Sequence, residues 1–589
     1  MKFVEVVVLW ERVEETSLRN EKTRLLAQVF AKTTPEEARL LSYLVGGRLV
    51  PLYVPVEYGM AEKSLVKALS LATDRSIAEV ELGFKKQGDL GEVIGELSKE
   101  RVAKLCIKDV YQKLYQVAVL NGKGSQEGKI QLLSSLLREL SPSEAKYVVR
   151  LVAGKVRLGF SDMTILDSLS WAKKGDKSDR AYLEYAYNVS SDIGMVAYKY
   201  LAGVDMMTMG VLPGVPVRPM RAERLGTFAE IVKKLGRFAV EPKLDGMRAQ
   251  IHAFGKSTDQ WGRELINKQN DLFATEEKPV EVKIFSRGLE DITSMFPEIV
   301  EAARAMWERA GDFVIDGEVI GVREDGSFLP FQETMKRRRK YGVEGKVGEI
   351  PVRAYIFDVL YAKARDQLVR SYKERREVLE LIIGDSEVVR LTESMEIDNE
   401  TKLMSKFDEA MRCGFEGLML KKLDSHYRAG ARDFAWVKYK RAHETELADT
   451  IDAVVVGAYV GKGKRSKFGV GAFLVGVREG EKVVTVAKIG TGLTDIQFEE
   501  LYEKLMVRQV EVMPSEYEVP ESLSPDIWVK PEIIVEIEAD EITESPLHSS
   551  CYALRFPRLL RFREDKSLQE ITTKDEVVKL FEVGRGNLN

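Results

Sequence analysis

The chain has 589 residues, 44% hydrophobic and 31% charged, with a formal net charge of -4 from 89 basic and 93 acidic residues. That length exceeds one hydrophobic core and predicts about three domains, while no window approaches the roughly 18 consecutive apolar residues of a membrane span. Glu5 breaks the first apolar stretch, against a secretory leader, and the three separated cysteines fit a reducing compartment and cannot build a four-cysteine zinc site.

Residues 1 to about 215 read as helical. Thr34 precedes Pro35, and Ser141 precedes Pro142, each pair combining a capping hydroxyl with proline in the first turn. Tyr147, Val148, Leu151 and Val152 then keep helical spacing. The loop Asn121-Gly122-Lys123-Gly124-Ser125-Gln126 fits both a phosphate contact and a plain turn between helices. Gly210 to Pro219, rich in Pro and Gly, marks a first boundary. From 216 to 442 short β-branched runs alternate with helical stretches, predicting an α+β domain. Within it, Lys256 to Val280 is polar and aperiodic, and is expected on the surface without chemistry. A second boundary is expected near Arg441-Ala442-His443-Glu444, and residues 443–589 then read as a small β-barrel of the OB type.

The overall acidic balance argues against a nucleic-acid partner, but local charge points the other way. Lys336 to Lys340 is five consecutive cations, which suits either a solvated face or a phosphate contact, and Arg555 to Lys566 holds five cations against two acids. The four histidines form no ligand cluster with cysteines and are read as structural or surface residues.

The chemistry concentrates around Lys243-Leu244-Asp245-Gly246-Met247-Arg248, which follows the apolar run Phe238 to Val240 and Glu241. The pattern places Lys243 at a strand end, entering a pocket. Alone, the motif also fits a hairpin turn. Further motifs follow in order: Ser286-Arg287, Asp316-Gly317-Glu318, Tyr355-Ile356-Phe357-Asp358, Glu416-Gly417-Leu418-Met419-Leu420-Lys421 and Trp436-Val437-Lys438-Tyr439-Lys440, then the segment from Arg555 to Lys566.

This ordered set resembles the nucleotidyltransferase superfamily of polynucleotide ligases and capping enzymes, and most closely the archaeal and eukaryotic-type ATP-dependent DNA ligases. The resemblance is strong from about Pro219 to Thr573 and looser before that. It implies an all-α DNA-binding domain at 1–215, an α+β adenylation domain at 216–442 and an OB-fold domain at 443–589. It further implies sealing of nicks in duplex DNA, in replication, repair and recombination, through a lysyl-AMP and a DNA-adenylate.

Residue by residue, the resemblance makes Lys243 the nucleophile and places Glu241 near the adenine edge. Arg248 and Arg287 would contact ribose or phosphate, Glu318 the ribose hydroxyls or a metal, and Phe357 would stack on adenine. Arg432 matches a nucleotide-contacting arginine, whereas Trp436 is read as packing. Lys438 and Lys440 would lower the Lys243 pKa by like-charge repulsion and steady the α-phosphate. Arg555, Arg558, Arg561 and Lys566 would orient the β- and γ-phosphates of ATP. Mg²⁺, or another divalent cation, is expected on Glu318 and Glu416, since it needs only one or two carboxylates.

An RNA ligase or an mRNA-capping-type nucleotidyltransferase is the rival enzyme; the large helical region and the full terminal motif favour duplex DNA. An NAD-dependent ligase is disfavoured by the cysteine count and by the end at Asn589. A DNA-clamping scaffold without activity is disfavoured by Lys243, Glu318, Glu416, Lys438 and Lys440 standing together. A sliding clamp is a partner by analogy, but Gln87-Gly88-Asp89-Leu90 offers the glutamine of a clamp peptide without its aromatics. The chain is expected to work as a monomer, in the cytoplasm beside the nucleoid if its source is archaeal. Phosphate contacts from Lys123, Ser125, Arg150, Lys155 and Arg157 are expected to carry sequence-independent DNA binding.

Overall fold

The structure, a computed structural model, describes residues 1–16, 18–255, 280–337, 350–440, 450–461 and 469–584. It divides into two compact units, Met1–Tyr439 and Lys440–Asn589. The 256–280 insertion lies outside the described residues except for Val280, and the expected boundary at 441–444 lies wholly outside them.

The first unit opens with helices from Phe3–Glu15 to Ile193–Leu201. The Thr34 and Ser141 hydroxyls each accept from the backbone N–H three residues on, and Glu37 and Glu144 reach back to the capping residue, so both starts are closed capping boxes. Their apolar faces form one core around Trp10, Tyr43 and Tyr147. That core continues into the sheet region through Val314, Leu360, Tyr427 and Trp436, so the helical part and the sheets share buried surface.

Two sheets follow. One has the order β1-β11-β10-β2-β9, built from β1 (Arg221–Arg224), β2 (Phe238–Lys243), β9 (Met395–Ile397), β10 (Gly417–Lys422) and β11 (Arg432–Lys440). The other has the order β4-β3-β5-β6-β7, from β3 (Met247–Gly255), β4 (Val280–Ser286), β5 (Phe313–Gly321), β6 (Val352–Ala362) and β7 (Arg365–Asp366), with β8 (Val389–Leu391) beside β6. Phe238, Val240, Leu418 and Leu420 bury one face of the first sheet against helices Phe228–Leu235 and Glu400–Arg412. Alternation then turns Glu241, Lys243 and Lys421 to the other face.

Gly210 to Pro219 is packed rather than slack. The Gly214 N–H donates to His252 Nδ1 at 3.1 Å, Val217 N–H donates to Gln250 Oε1 at 2.7 Å, and Gln250 Nε2 returns a bond to the Val217 carbonyl at 3.2 Å. Gly214 has φ +89°, and a Cβ there would stand 2.8 Å from the Phe254 ring. Of the basic run at 336–340, Lys336 is exposed and pairs with Glu333, while Arg337 is almost wholly buried and pairs with Glu298 at 2.7 Å. Arg337 is therefore a core cation rather than part of a solvated or phosphate-binding face.

The second unit is built on an antiparallel sheet of β12 (Ile451–Val460), β13 (Val470–Glu479) and β14 (Lys482–Ile489), extended by β15 (Gln509–Val510), β16 (Tyr517–Glu518), β17 (Ile527–Val529), β18 (Ile534–Glu538) and β21 (Arg558–Phe562). β19 (Glu541–Glu544) and β20 (Tyr552–Arg555) form a separate hairpin. Its core runs from Ile451 through Val475 and Leu559 to Val577.

Candidate active site

The antiparallel pairing of β2 with β10 sets Lys243 opposite Gly417, Glu241 opposite Met419 and Ala239 opposite Lys421. Residues directly opposite share a face, so Lys243, Glu241 and Lys421 line one side of the two strands. The Glu416 N–H donates to the Lys243 carbonyl at 3.1 Å, and the Glu416 carboxylate is in direct contact with the Lys243 ammonium. Gly246, just beyond, is required by close approach: a Cβ there would lie 2.5 Å from the Val319 carbonyl oxygen on β5. The Asp-Gly pair is thus wedged against the second sheet rather than free as a surface hairpin.

Around Glu241 lies a buried cluster. The Lys421 ammonium sits 2.8 Å from Glu241 Oε2 and donates to Glu241 Oε1 at 3.0 Å and to the Phe357 carbonyl at 2.9 Å. The Tyr372 hydroxyl also donates to Glu241. Burial pushes the Lys421 pKa down, against the pull of Glu241, and pushes the Tyr372 hydroxyl well up. Lys421 lies 4.8 Å from the centre of the Phe357 ring and 4.6 Å from that of Trp436, and those two rings meet edge-on at 5.8 Å. Trp436 is 2% exposed and also stands edge-on to Tyr427, as a packing residue should.

Arg248 occupies the neighbouring corner. Its Nε donates to Asp316 Oδ1 at 3.1 Å and its Nη2 to Asp316 Oδ2 at 2.6 Å, while Nη1 reaches the Met220 carbonyl at 3.1 Å. The Tyr427 hydroxyl donates to Asp316 at 2.9 Å. Asp316 and Tyr427 escaped the sequence reading as site residues, although Asp316 opens a motif; nothing in a sequence says which carboxylate will meet an arginine fork. With its fork filled by Asp316, Arg248 is a fixed cation 5.3 Å from the centre of Phe357 rather than a free bidentate phosphate ligand.

Glu318 faces Arg248 across the β3–β5 pairing. Its carboxyl is pushed up to about 8, first by desolvation and then by Asp316 and Asp245, with Arg248 and Lys243 pulling the other way. The Glu318 carboxyl and the Glu416 carboxylate on Lys243 are oxygen ligands of the kind a hard divalent cation takes. Among the described residues no group of three or more His, Cys, Asp or Glu is gathered as a ready metal site.

Arg287 is exposed in the turn after β4 and lines a shallow recess with Arg248, Asp316, Pro216 and Pro219. Lys438 and Lys440 share a face of β11 with Trp436, and β10 lies between that strand and β2. The Glu416 carboxylate is the charge in contact with Lys243. Arg432 is exposed at the start of β11, opposite Arg221.

In the second unit every cation of the terminal motif has a carboxylate partner. Arg555 pairs with Glu541 at 3.1 Å, Arg558 with Asp540 at 2.9 Å, Arg561 with Glu536 at 2.6 Å and Lys566 with Asp452 at 2.5 Å. Arg563, not singled out from sequence, is the most enclosed of the set and holds both Asp452 and Asp565.

The helical region corrects one expectation. Arg150 is 4% exposed and bound to Asp89, Glu14 and Glu92, and Arg157 also pairs with Asp89 at 2.9 Å. Arg150 is thus a buried counter-ion and is withdrawn from any DNA surface; Asp89, itself buried, caps helix Leu90–Leu97, with Gln87 half-buried and Gly88 exposed just before it. Lys123 and Lys155 are exposed, and Ser125 begins helix Ser125–Glu139. Of the histidines, His252 is wholly buried, His426 exposed and His548 partly buried, while His443 lies outside the described residues.

Comparison with known proteins matches three family models along the chain: DNA ligase N terminus at residues 2–170, ATP dependent DNA ligase domain at 272–440, and ATP dependent DNA ligase C terminal region at 466–566. Among relatives, the "Probable DNA ligase" of Dictyoglomus thermophilum is 39% identical over 594 residues, covering 99% of this chain and 97% of the relative. The DNA ligase of Pyrobaculum islandicum is 38% identical over 605 residues, covering 99% and 98%, and that of Acidianus ambivalens 36% over 614 residues, covering 99% and 97%. The solved structure described as Pmar-Lig_PreS3 shares the fold, with a TM-score of 0.56 at 18% identity, covering 95% of this chain and 99% of that one.

Proposed function

The chain belongs to the family of ATP-dependent DNA ligases, and from that premise we propose how its residues divide the work. The enzyme joins 3′-hydroxyl and 5′-phosphate ends at nicks. The observation that carries the assignment of roles is the single face of β2 and β10 that presents Lys243, Glu241 and Lys421 together, with Glu416 on the lysine.

In the first step the Lys243 amine attacks the α-phosphorus of ATP. An N–P bond forms, the bond from that phosphorus to the bridging oxygen breaks, and pyrophosphate leaves. The ammonium must first lose a proton, and the Glu416 carboxylate in contact with it is placed to receive one. Glu318 and Glu416 are the carboxylates that would hold Mg²⁺, which when bound would supply positive charge against the phosphates. AMP then passes to the 5′-phosphate of the nick, and attack by the 3′-hydroxyl releases it.

Glu241 reads the adenine edge and Phe357 stacks on the base. Arg287, exposed beside the recess, meets ribose or phosphate, and Arg432, Lys438 and Lys440 offer charge to the nucleotide from β11. Arg555, Arg561 and Lys566 meet the pyrophosphate portion after leaving their carboxylates. The second unit is read as an OB-type barrel, and the chain as three working parts at 1–215, 216–442 and 443–589. Nicked duplex DNA is the substrate and one chain suffices as a monomer. The expected setting is the cytoplasm beside the nucleoid, with a sliding clamp as a partner.

The deciding experiment is mass spectrometry after incubation with ATP and Mg²⁺. Wild-type protein should gain one AMP, and Lys243→Ala should gain none while still sealing nicks that already carry a 5′-adenylate. A Lys243→Ala protein that takes up AMP at the normal rate would overturn the assignment.

A further inference from the structure

We propose that Lys421 is a positioning residue for base selection, holding Glu241 as a fixed, ionised acceptor and tying it to the Phe357 platform. The inference rests on the reading of Glu241 and Phe357 as the contacts to adenine and deepens it.

The geometry is that of a hub. One ammonium, 1% exposed, touches a carboxylate that is 2% exposed, the carbonyl of Phe357 and three aromatic rings, those of Phe357, Tyr372 and Trp436. An ammonium has only donors, and an ionised carboxylate only acceptors, about four lone-pair sites in all. Lys421 and the Tyr372 hydroxyl both bond Glu241 Oε1, and Lys421 alone stands at Oε2, so acceptor capacity remains on Oε2. Adenine presents an amino group at position 6, a donor, whereas guanine presents a carbonyl there. A carboxylate pinned in its ionised form matches the first and repels the second.

Register supplies the reason for the pairing. Lys421 lies opposite Ala239 and Glu241 opposite Met419, so the two side chains meet diagonally on one face, over the small Ala239 side chain. Without the ammonium the carboxylate keeps only the Tyr372 hydroxyl on Oε1 and the Arg376 guanidinium 4.0 Å from it, so Oε2 is no longer held and turns from the position it offers an amino group. Because the same ammonium holds the Phe357 carbonyl, the edge contact and the stacking ring are set in one frame.

The test uses the full-length protein and measures the rate of covalent nucleotide uptake with ATP, with purine riboside triphosphate (which lacks the 6-amino group) and with GTP. Wild type should favour ATP over both. Lys421→Met should cut the preference for ATP over purine riboside triphosphate by about tenfold, as expected when a fixed hydrogen-bonding partner of the substrate is lost. Lys421→Gln, which keeps a donor for the Phe357 carbonyl but no charge, should lose the preference as well, and stands in if the methionine variant fails to fold. A folded variant that loses rate but keeps the wild-type preference would overturn the inference, because a purely structural lysine changes rate and stability without changing the choice of base. Wild type that uses purine riboside triphosphate as well as ATP would instead overturn the reading of Glu241, and the inference with it.

Discussion

Arg248 lays two nitrogens of its guanidinium on the two oxygens of Asp316, Nε to Oδ1 at 3.1 Å and Nη2 to Oδ2 at 2.6 Å, with Asp316 wholly out of solvent. The pair joins β3 to β5, and through the Met220 carbonyl and Tyr427 it also holds the segment that leads from the helices into the sheets. It ties β3, which begins four residues after Lys243, to β5, which carries Glu318.

Asp316→Ala should therefore cost stability before it costs chemistry. Removing one partner of a buried pair leaves a charge unpaired, a loss of about 3–5 kcal/mol. Urea unfolding of the first unit, followed by tryptophan fluorescence, should show the shift. A variant as stable as wild type would mean that solvent already reaches the pair.

Arg561→Ala and Lys566→Ala should slow self-adenylation by about tenfold or more while sealing of pre-adenylated nicks stays near normal, because the pyrophosphate they are proposed to orient is present only in the first step. Point substitutions are the proper test. Deleting everything after Pro546 would remove Leu554, Leu559 and Val577 from the core of the second unit, together with the partner strand of β18. Equal loss in both assays would end the pyrophosphate role.

DNA affinity should separate the exposed cations of the helical region from the buried one. Lys123→Glu with Lys155→Glu should weaken binding to unrelated duplexes and flatten the salt dependence by about two counterions' worth. Arg150→Ala should instead lower the melting temperature, since it strips Asp89, Glu14 and Glu92 of their shared guanidinium. Equilibrium titration at several salt concentrations checks the first, thermal unfolding the second. An unchanged salt slope in the double variant would place the DNA contact elsewhere.

Acid should destabilise the protein through His252. Burial pushes its pKa down to about 3, from an ordinary 6.5, and its Nδ1 accepts the Gly214 N–H, which requires that nitrogen to be unprotonated. Between those two values the unfolded chain binds the proton and the folded one does not. Stability from this group is thus intact above about 6.5 and falls as pH drops towards 3, by at most about 1.4 kcal/mol per pH unit. His252→Gln should be less stable at neutral pH and lose less on acidification; parallel curves for the two proteins between pH 7 and 4 would exclude the effect.

The order of short motifs was legible in the chain itself, because each is local: a lysine at a strand end, a turn-forming Asp-Gly, an Asp-Gly-Glu closing an apolar run. So were the capped helices, since a hydroxyl, a proline and a glutamate three residues apart act within one turn. What the sequence left open was decided by pairing between distant segments. Lys421 stood in a motif, but only the register of β10 on β2 sets it beside Glu241. Arg150 looked like a phosphate-binding cation until three carboxylates from other helices enclosed it. Arg248 looked free until Asp316, 68 residues on, filled its fork. A charge written in a sequence carries no partner with it; burial and the cost of an unpaired ion choose one when the strands and helices close.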